Sequence, residues 1–231
     1  MKALRILNDQ IVACRQCPRL VEYLEQVRRI KRRAYRDQDY WAKPVPGFGD
    51  PRARMLVLGL APGAHGANRT GRMFTGDSSG NFLYRALFET GFASQPTSVS
   101  RDDGLVLTGA YISAAVRCAP PDNKPLPEEI RNCRPYLEKE LELFGDLKVV
   151  VALGRLAFDV YLGILRQHRK IARRSDFLFA HDKEHRTGPG QPLLISSFHP
   201  SQQNTSTGKL TDAMLRAVFL RARRLLSRNL E

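Results

Sequence analysis

Met55-Leu56-Val57-Leu58-Gly59-Leu60, halted by Ala61-Pro62-Gly63, is a continuous apolar run of strand length that ends in a breaker. A run without a polar face belongs to a strand covered on both sides, the habit of parallel sheets. Similar runs occupy 110–116, 149–153 and 193–198, and between them apolar residues recur at helical spacing near 79–90, 127–144 and 154–165. Strands alternating with helices predict an α/β fold, a three-layer α/β/α sandwich around a central, mostly parallel four-stranded sheet. Upstream, Leu4, Leu7 and Ile11, then Leu20, Tyr23, Leu24 and Val27, predict helices over 3–13 and 18–30, closed by Pro44, Pro46, Gly47 and Gly49. The polar, His-rich stretch 167–191 reads as a surface excursion with a hairpin at 177–180. No internal repeat or low-complexity tract interrupts the chain. With 231 residues, 42% of them apolar, a single domain over 1–231 is expected.

Lys and Arg number 37 against 23 Asp and Glu, a net charge of +14, more than solubility asks of a small domain. A polyanionic partner is the natural reading. Arg28, Arg29, Lys31, Arg32, Arg33 and Arg36 are interleaved with Ile30 and Tyr35 and followed by Tyr40 and Trp41, a mixture suited to phosphate neutralisation and stacking. Two further basic groups are Arg166, Arg169, Lys170, Arg173 and Arg174, and Arg216, Arg221, Arg223, Arg224 and Arg228. In the last, Leu210, Met214, Ala217, Val218 and Leu225 recur helically, so a solvated helix face accounts for it equally well.

Cys14 and Cys17 form a C-x2-C pair, and Cys118 and Cys133 follow far downstream, enough thiolates for one four-sulfur metal site. Two disulfides are the competing account, but they require an oxidising compartment. The opening residues MKALRILNDQIVACRQC have no signal-peptide pattern, and no stretch approaches a membrane span. An intracellular, cytoplasmic protein with reduced thiols and a metal staple is therefore expected. Zinc and an iron-sulfur cluster both accept four thiolates, and spacing does not separate them.

A parallel sheet places its site beyond the carboxyl ends of its strands. There lie the loops running from Gly59 to Asp77, from Arg117 to Pro125 and from Ser196 to Thr205. All three are rich in glycine, proline and small polar residues, which let a ligand approach the backbone.

Together, GLAPGAHGANRTGRMFTGD, CAPPDNKP, SSFHPSQQNTSTGKLT and the four cysteines resemble the uracil-DNA glycosylase superfamily, in particular its iron-sulfur branch, family 5 or type B. The resemblance covers nearly the whole chain. It implies a structural 4Fe-4S cluster on Cys14, Cys17, Cys118 and Cys133, and excision of uracil and related deaminated bases from DNA. Such excision passes through an oxocarbenium-like sugar and a departing base anion, with the base held outside the duplex and water at C1'. On this reading His199 donates to a uracil carbonyl, Asn123 meets the Watson-Crick edge, and Asp77 positions or activates water or counters positive charge on the sugar. Asp77 before Ser-Ser-Gly is also an ordinary helix N-cap. Phe74 stacks on the base, with His65 and Gly63 lining the pocket. Arg69, Arg72, Ser197, Ser201, Gln202 and Lys209 are candidate DNA contacts, with Gln202, Gln203 and Asn204 probing the opposing strand or filling the vacated stack; for the two arginines, salt-bridged structural roles compete. His168, His181 and His185 are expected to take no catalytic part.

Related branches place Asp, Asn or Glu just after the first strand, where this chain has Leu60 and Ala61. That departure fits type B and implies an accommodating pocket, with hypoxanthine and oxidised or etheno bases as additional substrates. No lysine in these loops is evidently poised as a Schiff-base nucleophile, Lys124 being the one left open, so a monofunctional, monomeric enzyme is expected. The rival from another class is a non-catalytic, metal-stapled nucleic-acid-binding module. A zinc hydrolase is disfavoured because four thiolates leave no open coordination position.

Overall fold

The computed structural model describes residues 1–228, and of Arg228 the backbone alone. In chain order the helices and strands are α1 (Lys2–Ala13), α2 (Pro18–Ile30), β1 (Phe48–Gly49), β2 (Met55–Gly59), α3 (Ala67–Thr70), α4 (Ser78–Glu89) and β3 (Ala110–Ala114). There follow α5 (Pro127–Leu143), β4 (Val149–Leu153), α6 (Arg155–Gln167), β5 (Lys183–His185), β6 (Leu193–Ser197), α7 (Gln202–Ser206) and α8 (Asp212–Arg228). The sheet order is β1-β3-β2-β4-β6-β5.

The four apolar runs form the parallel centre of this sheet, β3-β2-β4-β6, as expected. Its two edges are short antiparallel strands, β1 on β3 and β5 on β6. Strands of two and three residues are too short to leave a periodic signature, which is why the sheet has six strands and not four. The expected hairpin is also displaced. Residues 177–180 form no strand; Phe179 packs against Phe158 at 5.5 Å and Phe177 against His185 at 6.2 Å. Their rings serve the core, and the antiparallel pairing falls to β5.

Alternation along each strand divides the core in two. Met55, Val57, Ile112, Val149, Val151 and Ile195 face one side, under α4 and α8, with Leu83, Leu87, Leu215, Val218 and Phe219. Leu56, Leu58, Tyr111, Val150, Ala152 and Leu194 face the other, under α5 and α6, with Leu137, Phe158, Tyr161 and Leu162. This is the three-layer sandwich. The chain leaves β2 for β3 on one flank, then returns across β2 to build β4 and β6 on the other. The loops that leave β2 and β4 therefore part company, opening a crevice at a topological switch point.

The N-terminal helices join this frame at α5. α1 packs beside α5, while Leu20 and Leu24 of α2 share a small buried cluster with Cys17, Val116, Cys118 and Cys133. Arg19 of α2 grips Glu129 of α5 with two 2.8 Å contacts. Among the described residues, no helix is long and apolar enough to cross a membrane.

Candidate active site and cysteine cradle

The crevice is built on two glycines. Gly59 ends β2 and Gly154 follows β4. A Cβ on Gly59 would sit 2.9 Å from the Phe74 ring, and one on Gly154 would sit 3.2 Å from Cβ of His199. Bare backbone at both strand ends thus lets Phe74 and His199 settle over the switch point, ring centroids 5.8 Å apart and tilted by 32°. Phe74 occupies left-handed backbone at φ 52°, a costly conformation for a bulky aromatic. Its surroundings impose it: Tyr84 donates to the preceding Met73 carbonyl at 2.9 Å, and the Phe74 carbonyl lies where any Cβ on Gly80 would fall.

Burial holds the His199 imidazole down at about 4, so the ring is neutral at physiological pH. Its ring nitrogens make no hydrogen bond among the described residues, whereas its backbone carbonyl accepts from Asn204 Nδ2 at 2.8 Å. A neutral imidazole with an uncommitted N–H can donate to an oxygen that gains charge without first being one half of an ion pair.

Asp77 is the N-cap of α4, its Oδ1 accepting from Gly80 N–H at 2.9 Å. Its Oδ2 faces the turn of the β2 loop, where a Cβ would come within 1.9 Å of it on Gly66 and 3.2 Å on Gly63. Gly63 therefore serves close approach to the carboxylate. Burial raises the Asp77 carboxyl above its usual range, opposed by the Gly80 and Ser79 backbone donors and by Arg69, which makes it a stronger base than an ordinary aspartate. The capping and chemical readings share one residue: one oxygen caps while the other is presented. A groove of about 770 Å³ runs past Asp77, lined by Tyr35, Gln38, Thr70, Asn81, Ser98 and Arg101 among others.

Asn123 stands exposed after β3, with Asp122 and Asn123 both in left-handed backbone at 54° and 57°. Asp and Asn tolerate that conformation, and the pair lifts the Asn123 amide free of side-chain partners among the described residues. His65 Nδ1 contacts Tyr40 Oη at 3.0 Å, and its pKa is lowered by burial and by Arg32 and Arg69; it braces the wall of the β2 loop.

Several expected DNA contacts are internal. Arg69 donates to the His65 carbonyl at 2.8 Å and the Gly76 carbonyl at 2.7 Å and lies over Tyr35. Arg72 is 3% exposed and spends its donors on Thr75, Ser98, Asp103 and the Arg101 carbonyl. Neither guanidinium is free for a phosphate in this arrangement. Ser197 is fully buried, its hydroxyl donating to the Phe198 carbonyl at 3.0 Å. Ser201 caps α7, Gln202 and Lys209 are exposed, and Lys209 hangs over the Phe198 ring at 5.0 Å. Asn204 is turned inward, its side-chain amide donating to the His199 carbonyl.

Of the basic groups, the arginines between Arg28 and Arg36 are exposed. The C-terminal group is largely engaged, with Arg221 on Asp182, Arg216 near Glu89 and Arg223 on the Thr90 carbonyl. Side-chain roles for Arg228 lie outside the described residues.

The four cysteines are all free thiols drawn to one place, the end of α1, the start of α2, the β3 loop and α5. Burial pushes the Cys118 thiol well up, with Cys133, Cys14 and Cys17 adding to it. Burial likewise pushes Cys133 to about 11, opposed by the Arg117 backbone N–H and guanidinium. Cys17 is raised by burial, countered by Asn132. Arg117 N–H and Asn132 Nδ2 point at Cys133 and Cys17 sulfurs, each at 3.5 Å. Thiols whose ionisation is held back by burial and by one another, with N–H donors at two sulfurs, suit a cationic iron-sulfur core, which would offset the charge of the thiolates that bind it. Among the described residues, no group of three or more His, Cys, Asp or Glu is arranged to hold a metal ion.

Gly154 escaped the reading of the sequence, although a glycine directly after the strand Val149–Leu153 was its signal. So did the inward role of Asn204, which a polar run gives no means to foresee.

A family model described as uracil DNA glycosylase superfamily matches residues 46–223. A type-5 uracil-DNA glycosylase of Thermus thermophilus is 53% identical over 215 residues, spanning 93% of this chain and 94% of that protein. Those of Mycobacterium bovis and Pyrobaculum aerophilum are 49% and 44% identical, spanning 95% and 93% of this chain and 80% and 89% of theirs.

Proposed function

Because the chain belongs to the uracil DNA glycosylase superfamily, we propose that its crevice excises uracil from DNA by base flipping and hydrolysis of the N-glycosidic bond. The observation that carries this is the neutral His199 beside Phe74 over the β2/β4 switch point. At 5.8 Å the two rings admit no base between them, so the extruded base enters beside the pair. It stacks on Phe74 and meets His199 at its edge. The His199 N–H then donates to the carbonyl on which charge grows as the bond to C1' lengthens, and Asn123 offers its amide to the Watson-Crick edge.

Asp77 supplies the negative charge that the sugar's oxocarbenium character calls for, and its raised basicity suits it to orient and deprotonate the attacking water. The water oxygen bonds to C1' as its proton passes to Asp77, the electron pair of the broken C1'–N bond leaves with the base, and an abasic sugar remains. Gly63, with Gly66, keeps the approach to that carboxylate open, and His65 braces the same loop. No lysine is needed, so the enzyme is monofunctional. DNA is gripped by exposed groups, among them Ser201, Gln202, Lys209 and the Arg28–Arg36 run, and related deaminated or damaged bases fit the same chemistry.

Cys14, Cys17, Cys118 and Cys133 would hold a 4Fe-4S cluster. When bound, it would tie α1 and α2 to the β3 loop and α5, a structural service with no part in the bond cleavage. On this reading the protein is a monomeric, single-domain repair enzyme of the cytoplasm, working at the nucleoid. Incubation with a uracil-containing duplex followed by alkali tests it. A strand break at the uracil is expected, with free uracil released; an intact strand would favour the non-catalytic nucleic-acid-binding module.

A further inference from the structure

The excursion between α6 and β6 delivers one side chain to the back of the His199 loop. His181 Nδ1 stands 3.3 Å from the Phe198 backbone nitrogen and 3.4 Å from Ser197 Oγ, and its ring stacks on Phe198 at 5.1 Å and 24°. The Ser197 hydroxyl already donates to the Phe198 carbonyl. The Phe198 N–H can only donate, so it is answered by a ring nitrogen that keeps its lone pair. The lone pair turned to the Phe198 N–H leaves the proton on the far nitrogen and so sets the tautomer.

The segment that carries His181 is itself anchored on both sides. Ser196 Oγ donates to the Ala180 carbonyl at 2.6 Å, and Asp182 takes both arms of Arg221 from α8 at 2.8 Å each. β5 then ladders onto β6. Asn204 holds the His199 carbonyl from the opposite side. The backbone entering His199 and the backbone leaving it are thus each tied to a side chain from elsewhere.

We propose that His181 is a positioning residue for His199, its neutral ring fixing the Phe198 peptide and with it the direction in which the His199 imidazole leaves the strand. The inference rests on the reading that His199 meets the base. Burial lowers the His181 pKa, against Asp182 and the Met214 backbone, which raise it; other charged groups near this stack are Arg221, paired with Asp182, and Lys209, over the Phe198 ring. A protonated His181 would turn a donor toward a donor and release the Phe198 peptide.

Three exchanges separate positioning from packing. His181→Phe keeps the stack and removes the lone pair. His181→Asn places an acceptor at the Nδ1 position, and His181→Gln places its amide at the far nitrogen's position. Single-turnover excision from a uracil duplex, DNA affinity and melting temperature are measured for each, and His181→Phe is also measured in a His199→Ala background. His181→Phe is expected to be about 10- to 100-fold slower with DNA affinity kept, since a small misplacement of a reacting group costs that much. His181→Asn should recover to within about threefold of the native rate, and His181→Phe should add no further loss once His199 is gone. A native rate in His181→Phe, an equal fall in His181→Asn, or a further loss without His199 would each overturn the proposal. Should His181→Phe not fold, the Asn and Gln variants decide alone, Gln as fast as Asn being the adverse result. A slow His199→Ala beside a fast His181→Phe sinks only this inference, whereas a fast His199→Ala sinks the reading of the site as well.

Discussion

The crevice and the cysteine cradle both gather side chains from distant parts of the chain, but opposite forces hold them. In the crevice, backbone does the placing: two strand ends, the glycines at 59 and 154, and a left-handed Phe74. The working groups are left unspent, the His199 ring nitrogens without a hydrogen bond among the described residues and one Asp77 oxygen turned to the Gly63–Gly66 bend. In the cradle, the working atoms oppose one another, each buried thiol making ionisation of the next harder. Preorganised polar groups serve a rate; thiols that could ionise together only around a cation would serve stability. The two regions should therefore respond to mutation in different observables.

Cys118→Ala should give the largest effect, on folding alone. If the four cysteines hold the proposed cluster, loss of one ligand is expected to lower the melting temperature by about 10 °C or more, while excision per folded molecule at low temperature stays near native. A large loss of rate at unchanged melting temperature would erase the distinction. Asp77→Asn comes next and strikes only the chemistry, with excision slowed by about 10³-fold. Asn preserves the N-cap, so melting should barely move. The same residue sets a pH dependence: Asp77 must be ionised to act, and burial raises its pKa. The native rate should fall with acidification from above the ordinary aspartate range, a limb absent from the residual activity of Asp77→Asn.

The smallest effect sharpens the comparison from the crevice side. His199 is held down at about 4, below the ordinary imidazole value near 6.5. Between those values the unfolded chain binds a proton that the native one refuses, so stability is lost as pH falls through the window. Urea unfolding at a series of pH values should show that loss, reduced in His199→Gln; an unchanged slope would mean that His199 is not buried neutral.

The parallel strands and their helices were legible because a doubly covered strand has no polar face and an amphipathic helix has a period. The strand exits that hold Asp77 and His199 were legible because function collects there in such a sheet. The rest was not, for physical reasons. β1 and β5 are shorter than any period, and Phe177 and Phe179 look like a strand until their rings find the core. Arg69 and Arg72 look like phosphate ligands because charge alone does not reveal that Gly76, Asp103 and Ser98 wait to receive them. His181 passed as a bystander because its partner is a backbone N–H, which a sequence never displays.

Single-turnover release of uracil by His199→Ala, read beside its melting temperature, tests the division between crevice and cradle most directly. The rate should fall by about 10²- to 10³-fold with the melting temperature essentially native. Release at the native rate, or a loss that merely tracks unfolding, would contradict the account.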